Sequence, residues 1–155
     1  MIKSRLEEWG NAPILTESAH HKEQEIITMN EHIPYQIDIE AQAFYVPDQS
    51  DEEENHFVFS YLIRISNKGS QPAQLISRHW IIRDLDDHEQ EVEGEGVVGE
   101  QPVIQPGQTF EYMSGTALES PVGTMRGSYQ MRSEDGTEFD APIPEFLLSV
   151  PRILH

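Results

Sequence analysis

The chain has 155 residues, with 28 Asp and Glu against 10 Lys and Arg, and its formal net charge is -18. This length suits one compact domain, and so acidic a surface repels phosphate backbones, which argues against nucleic-acid binding. Cysteine is absent, which excludes disulfides, thiolate metal sites and cysteine nucleophiles. No stretch approaches the roughly 20 apolar residues that span a bilayer, and no signal-peptide pattern opens the chain. We therefore expect a cytoplasmic protein without membrane insertion.

Residues 1–30 have the composition of a flexible N-terminal extension. Ser4 and Glu7 stand at capping-box spacing, which permits one short helix that ends at Gly10. So short a helix rarely persists in water without something to pack against. Residues 11–30 show no sustained hydrophobic period, and Met29 offers a second candidate start.

Residues 31–155 form the expected domain, because here the hydrophobic period changes to two. Asp135-Gly136 predicts a tight hairpin, and Pro142 and Pro144 place the last strand at a sheet edge or a bend. Seven to eight strands with intervening turns indicate an all-β fold, an antiparallel β-sandwich of the immunoglobulin type, with a barrel as the alternative. The clearest strands are expected over residues 34–46, 56–66, 73–84, 108–118, 124–133 and 138–150.

A glycine pattern follows the third strand. Gly94, Gly96 and Gly99 spell G-x-G-x-x-G, the pattern of a dinucleotide-binding loop. Such a loop must open a helix whose free N–H groups hold the pyrophosphate, but Pro102 and Pro106 follow within a few residues. The neighbouring glutamates would also oppose a phosphate. The three glycines are therefore weak candidates for pyrophosphate binding, and a backbone-shaping bulge is the alternative.

The acidic segment 84–100 precedes and surrounds these glycines. Its first residues match part of a calcium loop, but Glu89 stands where an EF-hand needs glycine, so that match fails. A shallow divalent-cation site remains open, with a solvated hairpin tip as the alternative. Its candidate ligands are Asp84, Asp86, Asp87 and His88.

Catalytic motifs are weak. G-x-S-x-G and H-E-x-x-H are both missing from the sequence. Ser77 and His79 share one face of the third strand, a common coincidence, with Arg78 and Trp80 on the other face. We therefore expect no enzyme activity, no catalytic residue and no cofactor.

The order of several segments resembles the bacterial ApaG family from about Tyr35 to His155. These segments are SRHWIIRD, EGEGVVGEQPVIQPGQTFEYMSG, ESPVGTMRGSYQM and IPEFLLSVPRILH. The resemblance implies a fibronectin type III-like β-sandwich and an association with Co²⁺ resistance and Mg²⁺ efflux. The same domain occurs in eukaryotic F-box and polymerase-delta-interacting proteins, a context that implies protein recognition. The family's glycine motif, suggested as a pyrophosphate site, falls on Gly94, Gly96 and Gly99.

Three functions follow as hypotheses. The first is a non-enzymatic protein-interaction module that acts in cobalt and magnesium homeostasis through a protein partner. The second is direct, weak binding of Mg²⁺ or Co²⁺ by the acidic segment 84–100. The third is nucleotide or pyrophosphate binding at the glycine motif.

Overall fold

The computed structural model describes residues 5–8 and 33–151. Two short 3-10 turns, Pro47–Gln49 and Glu52–Glu54, lie between the second and third strands. Across the described ranges there is no helix long and apolar enough to cross a membrane. The strands in chain order are β1 (Arg5–Glu8), β2 (Ile37–Tyr45), β3 (Phe57–Asn67), β4 (Ala73–Asp84), β5 (Glu89–Glu95), β6 (Val103–Ile104), β7 (Gln108–Leu118), β8 (Val122–Ser133) and β9 (Glu138–Ser149).

These strands form two separate antiparallel sheets. One sheet has the order β1-β7-β3-β2, and the other has the order β5-β4-β8-β9, with β6 also pairing with β4. The expected all-β sandwich is confirmed, and the closed-barrel alternative is not what the chain adopts. Strand β9 lies at a sheet edge, as its prolines predict, because a proline cannot donate to a second neighbour.

The core lies between the sheets and is built from alternating residues. Along β3 every second residue is buried and each residue between is half-buried. Phe59, Ile63 and Ile65 are at most 1% exposed, and each such side chain contributes about 1.5–3 kcal/mol by leaving water. The period-two pattern of the sequence therefore fixes which face of β3 points inward.

Trp80 lies at the centre of an aromatic cluster that joins the two sheets. Its ring centroid is 5.6 Å from that of Tyr61 on the facing sheet, 6.2 Å from Tyr129 and 6.0 Å from Phe146. The contacts with Tyr61, Tyr129 and Phe146 have the edge-on geometry that aromatic rings favour over a face-to-face stack. The tryptophan therefore fills the buried position that it occupies in immunoglobulin-like sandwiches.

Two segments differ from the sequence-based expectation. The helix permitted over the first residues is wrong at residues 5–8, which form strand β1 antiparallel to β7. The open edge of β7 offers backbone hydrogen-bond partners that a lone short helix lacks in water. The remainder of the proposed extension, residues 1–4 and 9–30, lies outside the described residues. The acidic stretch also holds a strand, β5, where only a hairpin tip and a glycine-rich bulge were expected.

Candidate functional site

A β-hairpin made of β4 and β5 carries most of the candidate residues. Its register pairs Arg83 with Glu89, His79 with Glu93 and Ser77 with Glu95. Successive side chains of a strand alternate between faces, so every second residue of β5 points outward. The outward residues are Glu89, Glu91, Glu93 and Glu95, all exposed. The hairpin thus displays a row of carboxylates along the outer face of the sandwich.

The tip of this hairpin is organised around Asp84. One oxygen of its carboxylate, Oδ1, accepts hydrogen bonds from the backbone N–H groups of Asp86 at 2.9 Å and His88 at 3.0 Å. The other oxygen, Oδ2, lies 3.3 Å from His88 Nδ1. Asp87 takes a left-handed backbone conformation with φ 61°, which closes the turn. The Asp84 side chain is only 9% exposed, while that of His88 is 73% exposed.

The electrostatic state of Asp84 follows from these contacts. Partial burial acts to raise the pKa of its carboxyl. The two backbone donors and the neighbouring imidazole act in the opposite direction and together hold the pKa below its ordinary value. Asp84 is consequently an anion over the physiological range.

Three of the four predicted metal ligands come together. Asp84, Asp86 and His88 each offer a ligand atom, and these atoms all lie within 4.8 Å of one another. Asp87 is not in this group. A depression of about 350 Å³ opens beside Asp84 and His88, and its wall also includes His56 and Glu119. These three side chains can offer carboxylate oxygens and an imidazole nitrogen as ligands to a cation. The surrounding negative charge would attract such a cation.

A second cluster, which sequence reasoning missed, lies along the same hairpin. His79 Nε2 is 2.6 Å from Glu91 Oε2 and 3.8 Å from Glu93 Oε2. The signal for it was present, since His79 shares the outer face of β4 and the glutamates recur with period two. Without the β4–β5 register, however, the sequence did not show which residues face each other. Ser77 does share the outer face with His79, but its Oγ donates to Gln130 Oε1 at 2.8 Å.

The glycine motif forms a tight turn and does not open a helix. The backbone groups of Val97 and Glu100 hydrogen-bond to each other in both directions, at 2.8 and 2.9 Å, which closes a two-residue hairpin over Val98 and Gly99. Gly96, Val98 and Gly99 all have positive φ, at 62°, 41° and 82°. A positive φ is unusual for a β-branched residue such as Val98. Buried Val97 anchors the turn in the core.

Each glycine of the motif has its own surroundings. A Cβ at Gly96 would lie 2.2 Å from the carbonyl oxygen of Glu100, and one at Gly94 would meet the guanidinium of Arg78 at 2.8 Å. A Cβ at Gly99 would meet nothing within 4 Å. Arg78 Nη1 also donates to the carbonyl oxygens of Glu95 at 3.0 Å and Gly96 at 2.8 Å. A side chain at Gly96 would thus collide with backbone, and one at Gly94 would collide with the arginine side chain.

Fold and site together define the class of protein: a fibronectin type III-like β-sandwich with an acidic hairpin on one outer face. The ApaG domain family, also described as DUF525, matches residues 47–133. The chain belongs to the ApaG family.

Relatives and a solved structure agree with this assignment. The chain is 59% identical to Protein ApaG of Nitrosospira multiformis over 127 residues, which is 82% of this chain and 100% of that protein. It is 58% identical to Protein ApaG of Thiobacillus denitrificans over the same shares of both chains. A crystal structure of a protein given the name ApaA, from Bordetella pertussis, has a TM-score of 0.75 and 53% identity over 78% of this chain and 98% of that one. The resemblance stated from the sequence is confirmed.

Proposed function

We propose that this protein is a non-enzymatic, cytoplasmic protein-interaction module, and that it acts in cobalt and magnesium homeostasis by binding a protein partner. The association of the ApaG family with Co²⁺ resistance and Mg²⁺ efflux, implied by the resemblance, motivates the cellular role. A protein of this fold would fill that role by recognising a partner protein that transports or senses the ion.

One observation carries the proposal: β5 is an edge strand whose outer face is lined with carboxylates. It ends the sheet order, so one of its edges has no partner strand among the described residues. An extended segment of another protein can add to such an edge by backbone hydrogen bonds. Glu91, Glu93 and Glu95 would then lie beside the added strand, where they favour Lys and Arg at alternate positions. The fitting partner is therefore a protein with an exposed basic strand or tail.

The arrangement of the Ser77 hydroxyl and the His79 imidazole on the outer face of β4 supports a non-catalytic role for the protein. A serine nucleophile needs its hydroxyl within hydrogen-bond reach of a base. Ser77 Oγ instead donates to Gln130, and His79 Nε2 contacts Glu91. Each group has a separate partner, so the pair is not arranged as nucleophile and base.

A capture experiment with matched charge changes tests the interaction. The full chain is immobilised, lysate of the source cells is passed over it, and bound proteins are identified by mass spectrometry. We expect a basic partner to bind the parent protein and to be lost with Glu91→Lys/Glu93→Lys. The control, Glu53→Lys/Glu54→Lys, makes the same change in net charge in the exposed turn between β2 and β3 and should retain the partner. Loss with both variants, or with neither, would contradict a role for the β5 face.

A second candidate function is direct binding of Mg²⁺ or Co²⁺ at the hairpin tip. The grouping of Asp84, Asp86 and His88 beside the 350 Å³ depression favours it. Titration with Co²⁺ while backbone amide shifts are followed would test it. Changes confined to residues 84–88 at micromolar metal, abolished by Asp86→Asn/His88→Gln, would support a site. Diffuse changes at millimolar metal would indicate charge screening without a binding site.

A further inference from the structure

We propose that His79, Glu91 and Glu93 form a separate site for a transition-metal cation of the Zn²⁺ type, in the middle of the β4–β5 hairpin. The proposal goes beyond partner binding and beyond the cluster at the hairpin tip. It is independent of both, because it rests on different residues.

The ligand atoms are already close together. One imidazole nitrogen and two carboxylate oxygens, from His79, Glu91 and Glu93, lie within 4.8 Å of one another. Ligand atoms around a tetrahedral Zn²⁺ lie about 2.0–2.2 Å from the metal, so their mutual separations are roughly 3.3–3.5 Å. Only small side-chain rotations are needed to reach that spacing from 2.6 and 3.8 Å. Three protein ligands leave a fourth position for water or for a group of a partner.

Glu91 and Glu93 differ in their ion pairs from Glu89, the preceding outward glutamate of β5. Glu89 Oε2 lies 2.5 Å from the Nη2 atom of Arg83 and 3.6 Å from that of Arg126, so its charge is compensated. Glu91 and Glu93 contact only the imidazole of His79 as a basic group among the described side chains. With His79 neutral the cluster carries two negative charges, and a divalent cation would bring it to zero.

The scaffold holds the ligands in place before any metal arrives. His79 comes from β4, and both glutamates come from β5, two strands that pair continuously over seven residues each. The His79 side chain is only 29% exposed, so the packing around it limits its rotation. A depression of about 520 Å³ opens beside His79 and Glu93, and its other walls include Ser77 and Gln130. A cation with its remaining water ligands has room there.

The donor set indicates which metals fit. An imidazole with two carboxylates suits Zn²⁺ and its neighbours in the first transition row, whereas Mg²⁺ prefers oxygen donors alone and keeps most of its water. The hairpin tip has the same donor types, two carboxylates and one imidazole, but Asp84 Oδ1 there already accepts two backbone hydrogen bonds. The two clusters are separated by about four residues of strand, roughly 13 Å, so each can be tested without disturbing the other.

Calorimetric titration of the full chain with ZnCl₂, in a buffer free of chelators and of Mg²⁺, tests the proposal. We expect a one-to-one binding event that millimolar Mg²⁺ does not displace. His79→Gln should weaken Zn²⁺ binding by at least roughly tenfold, and so, separately, should Glu91→Gln/Glu93→Gln. Tenfold is the lower end of the loss seen when a residue that only supports a metal ligand is replaced. The nitrogen chemical shifts of the His79 ring should move on metal addition, which a purely structural histidine would not show.

Two controls locate the site. His88→Gln removes a ligand of the hairpin tip, and His20→Gln/His21→Gln removes the adjacent histidines of the N-terminal segment. Both variants should bind Zn²⁺ as the parent does. Glu91 and Glu93 are 63% and 76% exposed, so their replacement tests the site even if His79→Gln fails to fold. Unchanged affinity in the glutamate variant, or loss confined to either control, would overturn the proposal.

Discussion

The guanidinium of Arg78 occupies the space that a side chain on Gly94 would need, since a Cβ built there would lie 2.8 Å from Arg78 Nη2. The two residues face each other across β4 and β5. The same guanidinium ties the carbonyl oxygens of Glu95 and Gly96 to β4. Glycine at position 94 therefore permits the arginine to hold the end of β5 and the turn that follows.

Gly94→Ala should lower the free energy of unfolding by about 1–2 kcal/mol, because the methyl group displaces an anchored guanidinium. Chemical denaturation measures the change. In an Arg78→Ala background the same glycine substitution should cost much less, so the two changes should not be additive. Additive losses would show that the guanidinium is not the obstacle.

Gly127→Ala should be far more damaging. A Cβ at Gly127 would lie 2.0 Å from the carbonyl oxygen of His79, a backbone atom that cannot move aside without breaking the β4–β8 pairing. We expect a loss of about 3 kcal/mol or more, measured by thermal or denaturant unfolding. The control is Gly115→Ala, where the nearest atom is at 3.1 Å and the position is exposed. Equal effects at both positions would contradict the steric explanation.

The buried hydroxyl pair of Tyr112 and Tyr129 should behave as a unit. The two oxygens lie 2.5 Å apart, and both residues are at most 2% exposed. Burial raises the pKa of both phenols, so neither ionises near neutral pH. Tyr129→Phe should cost about 1–3 kcal/mol because it leaves the other hydroxyl unsatisfied. The double variant Tyr112→Phe/Tyr129→Phe should cost less than the sum, and a double-mutant cycle of unfolding free energies checks it.

Asp135 should add acid-sensitive stability through Tyr35. The Tyr35 hydroxyl donates to Asp135 Oδ2 at 2.5 Å, and with the Thr137 backbone N–H it lowers the pKa of this carboxyl to about 2. Since the folded pKa lies below the unfolded value of about 3.9, the contribution is complete above that pH and is lost as pH falls towards 2. Tyr35→Phe should raise the pKa of Asp135, which carbon NMR titration of the carboxyl measures. The same pKa in both proteins would contradict the role of the hydroxyl.

The glycine turn should not bind ATP. Its amides open no helix, and the exposed carboxylates of Glu95 and Glu100 stand on either side of it. Titration with ATP should leave the amide signals of residues 96–99 unmoved. If they do shift, Gly99→Asp is the variant to use, because a side chain there meets nothing within 4 Å and is opposed only by the positive φ of 82°, whereas one at Gly96 also collides with Glu100. Saturable shifts abolished by Gly99→Asp would restore the nucleotide hypothesis.

The strands that sequence reasoning located best are those buried on one face. Expected residues 73–84 and 108–118 coincide with β4 and β7, because both segments are rich in apolar residues, although the alternation within 73–84 is imperfect. Strand β5 was not predicted because the residues that alternate with its glutamates are Gln90, Val92 and Gly94. Only Val92 has an apolar side chain, and Gln90 is itself exposed. Strand β1 was not predicted because its pairing depends on an edge 100 or more residues away in sequence.

The candidate site could be predicted from the sequence only where its residues are close together along the chain. Asp84, Asp86 and His88 are close in sequence, so a local turn brings them together, and the prediction of these three needed no tertiary information. The cluster of His79 with Glu91 and Glu93 depends on strand register, which was invisible while β5 was taken for a loop.

The glutamates of β5 also bear on solubility. An exposed edge strand is a template for pairing with another copy, the first step of ordered aggregation. Two copies of β5 would bring rows of ionised carboxylates together, so like-charge repulsion keeps the molecules apart. Acidification towards the isoelectric point near pH 4.5 removes the net negative charge of the molecule and so weakens the barrier. Mild acid should therefore promote fibre or precipitate formation while the sandwich itself is still folded.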